Sequence, residues 1–174
     1  MSVSPGRALL LNGTVGSGKT SVAEAIGDLL TRAGVANAVV DVDWLRRSWP
    51  HPPEDRFNGG MALRNLTAVA HNYLQAGAAR LVLAGVIESR AERDAYQAAV
   101  TVPLTVCRLR VELPTVRQRL IRRHDDDDVL RWHLERSGEL DQILRRAGTE
   151  DVVVDATTTS IRETAEAVIA VINW

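Results

Sequence analysis

The chain has 174 residues, 45% of them hydrophobic, enough to build one compact core over residues 1–174. Its net charge of −1 gives no electrostatic reason to bind nucleic acid or an anionic membrane, and its apolar runs fall short of the roughly 20 residues a membrane span requires. One cysteine, Cys107, excludes a disulfide within the chain and suits a reducing cytoplasm, and no signal-peptide cleavage site follows the N-terminal apolar run.

The first predicted element is a strand at Arg7–Asn12, apolar nearly throughout, as a strand buried on both faces should be. It runs into GTVGSGKT, Gly13 to Thr20, which matches G-x-x-x-x-G-K-[ST] in full. Glycines 13, 16 and 18 let the backbone turn tightly, so that the segment from Gly13 through Thr14, Val15, Gly16, Ser17, Gly18, Lys19, Thr20 and Ser21 wraps phosphate oxygens. Lys19 reaches the β- and γ-phosphates, and the Thr20 hydroxyl is a ligand for Mg²⁺. A helix predicted at Gly18–Ala33 sets its positive end beneath the anion. Composition agrees: the chain holds 20 arginines and one lysine, Lys19, and a tight phosphate loop takes a compact ammonium where an arginine fork is too wide. ATP with Mg²⁺ is therefore the expected ligand.

A second strand, Asn37–Val42, is expected beside the first and ends in Asp41-Val42-Asp43. Strand alternation would put both carboxylates on one face, toward the γ-phosphate. There Asp41 would hold a magnesium-bound water and Asp43 would accept a hydrogen bond from an attacking hydroxyl. The competing reading makes Asp43 the N-cap of a helix beginning at Trp44.

Trp44, Trp49, His51, Pro52, Pro53 and Phe57 follow, rigid walls for a ligand or simply core, with Arg46, Arg47 and Arg56 able to hold an anionic or hydroxylated group. A helix at Gly59–Ala76 carries the apolar stripe Leu63, Leu66, Val69, Ala70, Tyr73 and Leu74, and Gly77 stops it. A strand at Arg80–Val86 precedes Glu88, Arg90 and Arg93, expected to face the same cleft, with a helix at Ser89–Val100. Next come a strand at Leu104–Arg110 and a helix at Thr115–His124, whose first turn suits Pro114. That helix bears Arg117, Arg119, Arg122 and Arg123, and the run Asp125–Asp128 could pair with it as a solvated face. Helix Val129–Ala147, strand Asp151–Asp155 and helix Ser160–Ile172 complete the chain, and His71, His124 and His133, which lack metal-ligand spacing, read as structural or exposed. The alternation predicts an α/β fold of three αβα layers around a five-stranded parallel sheet, with ligands at the carboxyl ends of the strands.

A short chain with this loop, followed about twenty residues later by D-x-D, resembles the small-molecule kinases of the P-loop superfamily. Adenylylsulfate, shikimate and gluconate kinases are among them, as is chloramphenicol phosphotransferase. In the last, a V-D-S-L segment carries the aspartate taken as base, and Val42-Asp43-Trp44-Leu45 stands in its place. The resemblance implies a small-molecule hydroxyl acceptor bound near Trp44–Phe57 and adenine contacts at Thr157, Thr158 and Thr159. It also implies a helical lid within about 114–136 whose arginines, Arg119 and Arg123, neutralise the transferring phosphate. Many relatives carry an acid at the end of the third strand, where this chain reads RLVLAGV. Glu88 is the nearest carboxylate, which leaves the magnesium site to Thr20 and Asp41. A monomer or homodimer is expected. Two other functions fit the loop, a regulatory NTP hydrolase and a polynucleotide-end kinase. The −1 charge argues against the second, and no N-K-x-D or L-S-G-G-Q element marks a GTPase switch or transporter ATPase.

Overall fold

A computed structural model describes residues 6–55, 57–123 and 126–174, except for the Arg123 side chain. Strand β1 (Arg7–Asn12) leads through the glycine loop into helix α1 (Lys19–Arg32), followed by β2 (Asn37–Asp41), the single turn α2 (Val42–Leu45) and α3 (Gly59–Gln75). Then come β3 (Arg80–Ala84), α4 (Arg90–Val100), β4 (Leu104–Arg110), α5 (Leu113–Arg123), α6 (Asp127–Ala147), β5 (Val152–Asp155) and α7 (Ile161–Ile172). All four strand pairings are parallel, in the order β2-β3-β1-β4-β5.

The order corrects one expectation: β3, not β2, lies beside β1 on that side. Burial explains it. In β3 the residues Leu81 to Ala84 are all buried, whereas β2 alternates between buried and half-buried positions. A strand apolar on both faces belongs inside the sheet, and an alternating one can take the edge.

Successive residues of β1 feed two different cores, as a period of two requires. Ala8 and Leu10 join Leu66 and Ala70 of α3 and Tyr96 and Val100 of α4 on one face. Leu9 and Leu11 join Val22 and Ile26 of α1 and Ala165 and Val168 of α7 on the other. Gly27 of α1 lets that helix approach β2 closely, since a Cβ there would sit 2.5 Å from Val39 Cγ2. Val116 and Leu120 of α5 form a third, smaller cluster with Val111 and Ala156, packed by Val15 of the glycine loop and Leu130 and Leu134 of α6. The sheet's carboxyl end is therefore roofed by α5 and α6.

Helix ends follow local chemistry. Asp126 caps α6, accepting from the amides of Asp128 and Val129, with Asp127 and Asp128 in its first turn. Among its described residues, 126–128, the acidic run thus begins a helix more than it pairs with arginines: of these, only Asp128 lies near a described arginine, Arg131, at 3.8 Å. Asp55 does the same for α3, whose N-cap residue Asn58 makes no side-chain cap: its carboxylate accepts from Gly59 and Gly60 amides, which hold its pKa below the usual range.

Helix α6 is fixed to the sheet by a buried ion pair, Arg108 of β4 with Asp141 at 3.1 Å, and Arg145 joins Asp141 at 2.9 Å. Removing Asp141 leaves the buried Arg108 with only the more distant Glu150 carboxylate, at 3.7 Å. Asp141→Ala is expected to cost about 3 kcal/mol of stability, read as a lower urea midpoint with an unchanged m-value.

Candidate active site

A cleft of about 1090 Å³ opens at the carboxyl end of the sheet. Its floor is the glycine loop, with Val15, Gly16, Gly18, Lys19, Thr20 and Ser21 exposed to it. Gly18 sits at φ 92° as the N-cap of α1, a left-handed conformation that glycine adopts without a Cβ penalty. No side chain caps this helix and its first turn holds no acid, so its amides face the cleft with their positive dipole end uncovered. Lys19 Nζ bridges the loop, donating to the carbonyls of Gly13 at 2.9 Å and Thr14 at 2.8 Å. The buried Ser17 hydroxyl has no hydrogen-bond partner here. An anion-shaped, donor-lined cradle with a lysine at its rim fits the phosphates of a nucleotide.

The two aspartates meet here, by a different route than strand alternation. Strand β2 stops at Asp41, and the chain turns directly into α2. Asp41, not Asp43, is the N-cap: its Oδ1 accepts from the Asp43 amide at 2.9 Å. Its other oxygen, Oδ2, accepts from Thr20 Oγ1 at 2.8 Å. Two hard oxygen donors side by side, next to the loop, suit Mg²⁺, which typically takes one or two protein groups and completes its shell with phosphate and water. The cap leaves Asp43 in the first turn of α2, its carboxylate mostly exposed in the cleft, with Arg46 Nε 3.4 Å away.

Arg46 is itself held. It donates to the Phe57 carbonyl at 3.4 Å and hydrogen-bonds the buried Tyr96 hydroxyl, whose pKa burial pushes up to about 12, so that Tyr96 stays neutral. Asn58, buried with φ 51°, donates to the carbonyls of Arg46 and Ser48 and so ties the 46–58 loop back on itself. Trp44 and Trp49 are not core: they are 65% and 87% exposed, and the Arg47 guanidinium lies 4.0 Å over the Trp44 ring. Trp44, Arg46, Arg47 and Phe57 line the cleft; Arg56 lies outside the described residues.

More of the cleft wall comes from α6 and was not read from the sequence. Trp132, His133 and Arg136 face the cleft. Arg136 pairs with Glu88 Oε1 and with Glu139 Oε2 at 2.7 Å, and its guanidinium lies 5.6 Å from the Phe57 ring. Burial raises the Glu88 carboxyl above its ordinary value, against the pull of Arg136. Trp132 and His133, four and three positions before Arg136 and so on its side of the helix, were the signal available.

The other expected residues take several places. Arg90 is exposed on the first turn of α4 and does not line the cleft. Arg93 turns away to Asp151, at 2.7 Å, and to the Thr149 carbonyl. Arg119 reaches across to the carbonyls of Ser17 at 3.4 Å and Ala156 at 3.0 Å, stitching α5 to both the glycine loop and the segment after β5. Thr157 Oγ1 accepts from the Glu112 amide at 3.2 Å, and Thr158 is exposed beside it. The Arg123 side chain and His124 lie outside the described residues. His133, expected to be structural or exposed, stands on the cleft wall with Nδ1 2.7 Å from the Val129 carbonyl.

The family model for adenylylsulphate kinase matches residues 5–122. No curated protein matches the chain in sequence. Among solved structures, the Mycobacterium tuberculosis APS kinase in complex with AMPPNP and APS superposes with a TM-score of 0.65 at 24% identity, covering 98% of this chain and 99% of that one. Shikimate kinase from Acinetobacter baumannii, in complex with shikimate, gives 0.63 at 17% identity over 98% and 94% of the two chains. A gluconokinase from Sinorhizobium meliloti gives 0.61 at 22% identity over 97% and 94%. At these identities the superpositions speak for the fold.

Proposed function

Since the chain belongs to the adenylylsulphate kinase family and is an ATP-dependent phosphotransferase that uses Mg²⁺ and acts on a small-molecule hydroxyl, we infer that its acceptor carries a flat or apolar body and an anionic group. The observation that carries this reading is the position of Asp43, exposed between the phosphate loop and a wall of Trp44, Phe57, Trp132 and Arg136. Aromatic faces favour a planar ring, and arginines favour carboxylate, sulfate or phosphate. Adenylylsulphate has both features and is the first candidate.

In this reading the triphosphate lies on the loop amides, with Lys19 following the β- and γ-phosphates and Thr20 and Asp41 serving the metal. Bound Mg²⁺ would neutralise charge on the β- and γ-oxygens. The acceptor hydroxyl attacks the γ-phosphorus in line; the new O–P bond forms as the bond to the β,γ-bridging oxygen breaks and ADP leaves. The hydroxyl proton passes to the Asp43 carboxylate, which Arg46, itself held by Tyr96, keeps in place. Helix α5 and the start of α6 act as the lid, with Arg119, on the Ser17 carbonyl of the glycine loop, neutralising the transferring phosphate and Thr157 and Thr158 beside adenine. Arg46, Arg47 and Arg136 receive the anionic group.

ADP release in the presence of adenylylsulphate, shikimate, gluconate or chloramphenicol tests the reading. Stimulation by one of them, greatest for a planar and anionic acceptor, is expected. If all four leave turnover at the rate of hydrolysis in water, the acceptor assignment fails and a regulatory hydrolase takes its place. Arg136→Met is expected to raise the acceptor KM about tenfold or more with little change in ATP affinity, because it removes a charge-assisted contact made by one substrate only.

A further inference from the structure

We propose that Asn12 is a positioning residue that couples the phosphate loop to the acceptor wall, so that a nucleotide on the loop orders the segment carrying Glu88. Asn12 closes β1 and is fully buried. Its Oδ1 accepts from the amides of Gly13 at 3.0 Å and Ile87 at 3.2 Å, and its Nδ2 donates to the Ile87 carbonyl at 3.0 Å. The β1–β3 ladder has ended just before this point, with Leu11 opposite Ala84 and the Gly85 amide on the Leu11 carbonyl at 3.2 Å. Beyond it the glycine loop turns away, and the side-chain amide takes over the pairing that backbone can no longer make.

Each end of this bridge leads to reacting groups. On one side the Gly13 peptide, fixed through its N–H, offers its carbonyl to Lys19 Nζ. On the other, Ile87 precedes Glu88, which pairs with Arg136 on the acceptor wall and whose amide donates to Glu92 at 2.7 Å. Residues 85–88 belong to no helix or strand, so their backbone depends on contacts of this kind. A carboxamide supplies the acceptor for two N–H groups and the donor for one carbonyl with no charge to bury and no proton to gain or lose. An apolar residue would leave three buried backbone groups unpaired. The inference rests on nucleotide binding at the loop and not on which acceptor is used.

Hydrogen exchange on the full chain, with and without AMPPNP and Mg²⁺, tests it. In the wild type, nucleotide is expected to slow exchange at residues 85–89 about tenfold, beside protection of the loop itself. Asn12→Asp keeps the shape and both acceptor contacts and, in its ionised form, loses the donor; Asn12→Ser is smaller and loses more. Protection at 85–89 is expected to fall below about twofold in both, while Asn12→Asp, which keeps the Gly13 contact, retains nucleotide-dependent protection at residues 13–20 and binds AMPPNP within about threefold of wild type. With an acceptor that stimulates the wild type, kcat should fall about a hundredfold, the usual penalty of a misaligned reacting pair. Three results would overturn the proposal: a wild type in which AMPPNP does not slow 85–89, variants that retain that protection, or an aspartate variant that loses loop and wall together. Should the serine variant fail to fold, the near-isosteric aspartate variant decides alone.

Discussion

Lys19→Ala is expected to weaken AMPPNP binding by about ten- to a hundredfold, the scale of one charge-assisted hydrogen bond in a half-buried site. The loss in turnover should be larger, about a thousandfold, because charge on the transferring phosphoryl grows toward the transition state and the ammonium follows it. Two structural facts sharpen the expectation. Lys19 Nζ already lies at the rim of the loop, on the carbonyls of Gly13 and Thr14, so little reorganisation separates it from a bound phosphate. The lysine is also the first residue of α1, where its loss leaves the helix core of Val22, Ala23 and Ile26 untouched. The urea midpoint should therefore stay near wild type while binding, read by calorimetry, falls. Lys19→Arg should not rescue turnover, since a planar fork does not fit where a compact ammonium does. Normal affinity and turnover in Lys19→Ala would remove the nucleotide from this loop.

Asp43→Asn separates a kinase from a mere hydrolase. The substitution keeps size and most hydrogen-bonding capacity and removes basicity. Acceptor-dependent ADP release is expected to fall by about a hundredfold or more, the usual contribution of a general base. AMPPNP affinity should change little, because Asp43 touches neither the glycine loop nor the Thr20–Asp41 pair through its side chain. The α2 turn should persist as well: its cap is supplied by Asp41, which accepts the backbone amide of residue 43 whatever side chain stands there. A purely structural role for Asp43 would show as a drop in stability with unchanged acceptor turnover. Full acceptor-dependent turnover in the asparagine variant would rule out this carboxylate as the base.

The phosphate loop, the strands and the long helices were all legible in the chain itself. Each is specified by neighbours in sequence: glycines and one lysine in eight residues, two-face apolar runs for β1, β3 and β4, a 3.6-residue stripe for α3. Tertiary structure alone decided the rest. Whether Asp41 and Asp43 shared a strand depended on where β2 stopped, and it stopped because Asp41 caps a new helix one residue on. The partner of β1 depended on which strand could bear burial on both faces. Arg136 meets Glu88 across 48 positions, Asn12 meets Ile87 across 75, and Arg119 meets Ser17 across 102. No local period encodes such pairs. They exist because parallel strands return every chain segment to the same edge of the sheet, where side chains distant in sequence must satisfy one another's charges and hydrogen bonds.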